Sequence, residues 1–293
     1  MTFVNYFLRY ITISLLFLVS HVNAQDTEPY KYPPSNVVTI HSKVLNEDRK
    51  IYVHCPKPDT ANPTKRYPVL YLTDADNYFE LLAFYTGYLS RWDVLAMPEM
   101  IVVATAHADR IKDLTPTHGT TNYLGKRDTA GYYKTSGGNE NFLQFIRTEL
   151  MPVIERNYKT EPYKILGGHS FGGITTINCM LTHPEMFNAY IAISPSFYWD
   201  NRYLLKLTDK ILKKSSVLNK KLFYSNGNEG EDEVKPSFFH TDVLTFDSLI
   251  TSKKLIALDY TYKYYPTETH MTEPIVAYFD ALRFIFKDWE KHQ

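Results

Sequence analysis

Short apolar runs recur along this chain, separated by polar stretches marked with Pro, Gly, Asn and Asp. Residues 37–42 and 49–53 alternate apolar and polar side chains, the period of a half-buried strand, and Asn46-Glu47-Asp48 predicts the turn of an antiparallel pair. The apolar runs at 67–72 and 100–104 fit strands covered on both faces, 163–167, 189–193 and 221–225 read as further strands, and 259–265 reads as the last strand. Helical spacing intervenes. Phe142, Phe145, Ile146 and Leu150 line one face of a helix that starts near Ser136 and runs to Asn157, with a kink expected at Pro152. Further helices are expected from about Gly172, over 197–219, and over 274–288, where Ile275, Tyr278, Phe279, Leu282 and Phe286 share a side. Strands alternating with helices predict an α/β fold, a mostly parallel central sheet with helices on both faces.

The first 24 residues stand apart. Arg9 is their only charge, 10–19 is apolar, and Val22-Asn23-Ala24 has the small-residue form of a cleavage site, so 1–24 reads as a signal peptide cut before Gln25. An uncleaved anchor is disfavoured because Arg9 interrupts the apolar run and what remains is short for a span. The residue directly after the site is Gln25, not a cysteine, which argues against a lipoprotein. Residues 25–293 then form one domain, expected to be secreted or periplasmic without stable membrane insertion. Charge narrows the partners. The chain carries 32 basic and 32 acidic side chains and no basic block, so nothing electrostatic points to nucleic acid. Cys55 and Cys179 lack metal-ligand spacing and fall in separate elements, so two thiols are expected rather than a disulfide, and neither a metal nor a cofactor is predicted. The 24 Tyr and 17 Phe fit an aromatic-rich core or an aromatic cleft.

Gly168-His169-Ser170-Phe171-Gly172 lies where a predicted strand gives way to a helix, with Gly173 next. A G-x-S-x-G there places the serine on a sharp, strained turn with its hydroxyl above the sheet edge, and a Cβ at the flanking positions would collide with neighbouring chain. A serine hydroxyl needs a base, and the base needs an orienting acid. Polar loops follow later strands at 226–232 and 266–270, giving the chain order serine, acid, histidine. His270 is the favoured base, because His240 follows no strand and the turn should aim His169 elsewhere. Glu229, nearest its strand end, is the favoured acid, with Glu231, Asp232 and an acid-free Ser–His dyad open. The oxyanion hole is expected from the Phe171 N–H and the N–H of Ala75 or Asp76, in the polar loop 73–77. The long polar stretch 105–138 is expected to shape the pocket.

These residues resemble a known group. Residues 67–72 with Asp74-Ala75-Asp76, Asp113-Leu114-Thr115-Pro116, Ser136-Gly137-Gly138, the 168–173 turn, Ser194-Pro195-Ser196, Trp199-Asp200 and Thr269-His270 look like the putative esterase family of α/β-hydrolases, over roughly 37–288, and most like its enterochelin-esterase branch. The wider relatives include feruloyl and acetylxylan esterases, S-formylglutathione hydrolases and mycolyltransferases. The resemblance implies an α/β-hydrolase fold and a serine carboxylesterase with Ser170 as nucleophile and His270 as base. It implies a small-molecule ester substrate of the catecholate siderophore kind, or else an acetyl or feruloyl ester of plant polysaccharide. Acyl transfer on the same fold and a non-catalytic binding module are the rival readings.

Overall fold

In the computed structural model, which describes residues 35–122, 125–229 and 238–289, eight strands form one sheet in the order β1-β2-β4-β3-β5-β6-β7-β8. The predicted signal segment lies outside these residues. β1 (Ser35–Ser42) and β2 (Glu47–His54) form the antiparallel hairpin, and β2 runs antiparallel to β4 (Ile101–Thr105). β3 (Tyr67–Leu72), β5 (Thr160–His169), β6 (Ala189–Ile193), β7 (Val217–Gly227) and β8 (Ile256–Tyr265) complete a parallel array with β4. Every residue of β3, β4 and β6 is buried, which is why these strands read as unbroken apolar runs.

Alternation along the strands sends side chains to two separate cores. Leu70, Leu72, Ile165 and Ile191 meet Tyr78 and Leu82 of α1 (Ala75–Leu89) and Tyr278 and Leu282 of α8 (Glu273–Ile285) on one face. Tyr71, Leu166 and Tyr190 point to the other. They share that core with Phe142 of α3 (Asn139–Phe145), Ile174 of α5 (Phe171–Thr182), Leu204 of α6 (Trp199–Ile211) and Phe246 of α7 (Phe238–Lys253). Helices therefore cover both faces, as expected. None of them, among the described residues, is long and apolar enough to cross a membrane.

Several boundaries differ from the sequence expectation. Residues 73–77 are not wholly a loop, since Ala75 opens α1, whose buried positions Tyr78, Phe79, Leu82, Ala83, Thr86 and Leu89 keep helical spacing. A short helix, α2 (Arg110–Leu114), forms inside the stretch read as irregular. The 197–219 helix stops at Ile211, because β7 begins at Val217. The kink expected at Pro152 takes the form of a π-helical turn, Ile146–Leu150, between α3 and α4 (Met151–Asn157). Proline lacks the N–H that a continuous helix needs, and Pro152 follows directly on this π-helical turn, whose last bond runs from the Met151 N–H to the Ile146 carbonyl. Cys55 and Cys179 are free thiols.

Candidate active site

Ser170 joins β5 to α5 with φ 61° and ψ −113°, a backbone conformation that disfavours any side chain bearing a Cβ. The surrounding glycines show what holds it there. A Cβ on Gly168 would lie 2.7 Å from Thr73 Oγ1 and run into the Gly172 carbonyl. One on Gly172 would lie 2.8 Å from Asp74 Oδ2, and one on Gly173 would lie 2.9 Å from the Ile193 carbonyl. The turn can thus close against the start of α1 on one side and the end of β6 on the other. The Ser170 N–H donates to the Ile193 carbonyl at 2.9 Å, and the Ser170 hydroxyl shares a 3.0 Å hydrogen bond with Ser196.

His270 and Glu229 come from adjacent strand ends. The Asn228 N–H donates to the Glu268 carbonyl at 2.5 Å, and Gly227 is packed so closely on Glu268 that a Cβ would strike its carbonyl. This tie brings His270 Nδ1 to 3.0 Å from Glu229 Oε1, off the line of an ideal hydrogen bond. Glu229 is buried, with its side chain 4% exposed, and also accepts from Ser194 Oγ at 2.7 Å. Among the three candidate acids, Glu229 is the one found beside His270; Glu231 and Asp232 lie outside the described residues. His240 sits instead in α7, 3.0 Å from Asn226 Nδ2 and with its ring against Tyr264. His169 is buried against the His270 ring, at 4.5 Å between centroids, and its Nδ1 shares a 2.9 Å bond with the Tyr78 hydroxyl. Burial first, then the neighbouring His270 and Arg110, push His169 well below the usual imidazole range, so its ring is neutral at physiological pH.

Phe171 opens α5, and Ala75 and Asp76 open α1. The first N–H groups of a helix have no partner within it, so both sequence-predicted sources of oxyanion donors are helix starts. Two side chains hold the α1 start in place. Arg110 donates to Asp74 Oδ1 at 2.5 Å and to the His169 carbonyl at 3.1 Å, clasping the two helix starts together. His107 Nε2 bonds the Thr73 carbonyl, while its Nδ1 lies 2.7 Å from Asp113 Oδ2. Asp113 in turn accepts two bonds from the buried Arg49 guanidinium, at 2.6 and 2.9 Å.

Sequence reasoning assigned no role to Arg110, His107, Asp113 or Arg49, nor to Ser194, Ser196 and Glu273. Three of them, Asp113, Ser194 and Ser196, fall within the segments that carried the family resemblance, which was the available signal.

The Asp113 contacts carry a stability prediction. Burial opposes its ionisation, but His107 and Arg49 outweigh that and hold its pKa below the usual carboxylate value. Asp113→Ala would leave Arg49 buried without this partner and should cost about 3–5 kcal/mol in denaturant unfolding. A folded pKa below the unfolded one gives stability that is complete above about pH 4 and is lost as pH falls through the folded value. Asp113→Asn should therefore flatten the acid limb of the stability curve. An unchanged limb would mean the ion pair contributes nothing.

A family profile described as putative esterase matches residues 42–232. The chain is 31% identical over 207 residues to the ferri-bacillibactin esterase BesA of Bacillus subtilis, covering 67% of this chain and 70% of that one. It is 33% identical over 133 residues to the siderophore enterobactin esterase of Emericella nidulans, 43% of each chain. Among solved structures, an IroE-like serine hydrolase from Shewanella oneidensis superposes with a TM-score of 0.81 at 30% identity, covering 88% of this chain and 81% of that one. The chain belongs to the putative esterase family and is an ester hydrolase of the α/β-hydrolase fold.

Proposed function

We propose that this protein is an exported serine carboxylesterase acting on catecholate siderophore esters. The observation that carries the chemistry is the strained Ser170 turn at the end of β5, together with the Glu229–His270 pair on the loops that follow β7 and β8. In this reading Ser170 Oγ attacks the ester carbonyl, and His270 accepts the serine proton and returns it to the departing alcohol. Glu229 orients the imidazole. The N–H groups of Phe171 and of Ala75 or Asp76 hold the oxyanion, and water then releases the acyl group. The Ser170 hydroxyl faces Ser196 in the free enzyme, and catalytic hydrogen bonds of this kind commonly tighten only with substrate. Any iron enters as part of the substrate.

The substrate class rests on the relatives, a ferri-bacillibactin esterase and an enterobactin esterase by name. Export rests on the charge and apolar pattern of residues 1–24. Hydrolysis assays separate the substrate readings. A catecholate trilactone should be cleaved to its monomers, with a feruloyl sugar ester turned over at least 10²-fold less efficiently by kcat/KM, a difference of roughly 3 kcal/mol in transition-state binding. The reverse preference would overturn the siderophore assignment and favour a polysaccharide esterase. Transfer of the acyl group to an added sugar in place of water would reassign the protein as an acyltransferase.

A further inference from the structure

Behind Glu229 lies a second carboxyl that this mechanism does not use. Glu273, in the first turn of α8, is fully buried, and its Oε2 bonds the Ser194 hydroxyl that also donates to Glu229 at 2.7 Å. We infer that Glu273 is a positioning residue held as a carboxylic acid, donating its proton to Ser194 so that the single O–H of Ser194 is directed onto Glu229. This inference rests on the Ser170–His270–Glu229 reading above.

Donor counting carries the argument. A serine hydroxyl has one proton and can donate to one of two carboxylates. If both were ionised, the second would face a lone pair, and two negative charges would share a site with almost no water. One proton on the pair removes both conflicts, and the surroundings decide which carboxyl takes it. Glu229 has His270 at 3.0 Å. Glu273 has no exposure; the Ser225 hydroxyl beside it favours its anion but makes no aligned hydrogen bond to Oε1. The charged and titratable groups facing Glu273 are Glu229 after β7, His270 after β8, Tyr265 at the end of β8, Tyr78 on α1 and Tyr278 on α8. Burial pushes all three tyrosines up, so they stay neutral, and His270 is the one group among these that can bring positive charge. The start of α8 favours an anion, but burial first, and then the Glu229 charge, outweigh this, the Ser194 and Ser225 hydroxyls and His270, pushing Glu273 up to about 7. Ser194 itself is fixed by its backbone, at φ 39° with its N–H on the Ser225 carbonyl at 2.9 Å. The ordered chain, acid O–H to serine O–H to carboxylate, therefore holds Glu229 in the rotamer that meets His270.

The sign of the pH effect follows. Below neutrality Glu273 keeps its proton and the chain is intact. As pH rises through its ionisation, Ser194 is contested by two anions and Glu229 loses its fixed orientation. The test is kcat against pH for p-nitrophenyl acetate, together with infrared spectra of the carboxyl region. Wild type should lose kcat by about tenfold on the alkaline side with little change in KM, as a misplaced acid would cause. Glu273→Gln, whose amide donates at every pH, should lose that limb, whereas Glu273→Leu should cost about 10–100-fold in kcat throughout. A protonated-carboxyl band should be present at low pH, titrate away near neutrality, and be missing in Glu273→Gln. Superimposable pH profiles for wild type and Glu273→Gln would overturn the positioning role. Absence of the band would overturn the protonation, and that readout stands even if Glu273→Leu fails to fold. Loss of fluorophosphonate labelling at wild-type Ser170, with the band intact, would instead sink the esterase reading and the positioning role with it.

Discussion

Ser170→Ala is expected to lower kcat by about 10⁴–10⁶ and to abolish labelling by a fluorophosphonate, with KM changed far less. The size follows from what the substitution leaves behind. On the proposed mechanism the N–H groups of Phe171 and of Ala75 or Asp76 would still polarise a bound carbonyl, so a residue of rate enhancement survives. The nucleophile, and with it the covalent route, does not. Alanine also keeps a Cβ at φ 61°, so backbone strain is unchanged and the fold should hold. This makes the variant a clean test: loss of activity with an unaltered melting temperature assigns the chemistry to the hydroxyl. Turnover near the wild-type rate would exclude Ser170 as the nucleophile.

Glu229→Gln should lower kcat by on the order of 10⁴, because an amide in place of the carboxylate can no longer fix the imidazole tautomer or balance its charge in the transition state. The contact at 3.0 Å lies off the hydrogen-bond line, so part of this effect depends on alignment gained when substrate binds. Rates should be compared with His270→Ala. Residues that act as a unit are strongly non-additive, so the double variant should be little worse than His270→Ala alone. Multiplying losses would show that Glu229 acts elsewhere, and an unchanged rate in Glu229→Gln would favour a Ser–His dyad.

The sheet was readable because its buried strands are continuous apolar runs, and the turn at Ser170 because glycine answers to local backbone geometry. Both are short-range signals. Chain order after Ser170 was enough to select His270 and Glu229 as partners for testing, since parallel strands put successive loops on one edge. The helix Ala75–Leu89 was missed because its first residues, Ala75-Asp76-Asn77, read as polar loop and its buried face is built partly from Tyr and Thr. The supports of the site were hidden for another reason. Arg110 reaches Asp74 across 36 positions, Arg49 reaches Asp113 across 64, and Ser194 reaches Glu273 across 79. No periodicity links such pairs. Glu273 in particular looks in sequence like an ordinary first-turn acid, and only its burial beneath Ser194 sets it apart.

Trp199 forms part of the wall beside Phe171. Its indole is 2% exposed, donates to the Thr117 carbonyl at 3.2 Å, and meets the rings of Phe171 and Tyr133 edge-on at 5.2 and 5.0 Å. Gly119 lies beneath it so closely that a Cβ there would come within 2.6 Å of the ring. Trp92, by contrast, is 84% exposed. The chain therefore carries its own optical reporter. A soluble quencher silences the surface indole, and the emission that survives includes that of a ring in contact with the residue next to Ser170, so ligand binding that moves Phe171 can be followed in real time without attaching a dye.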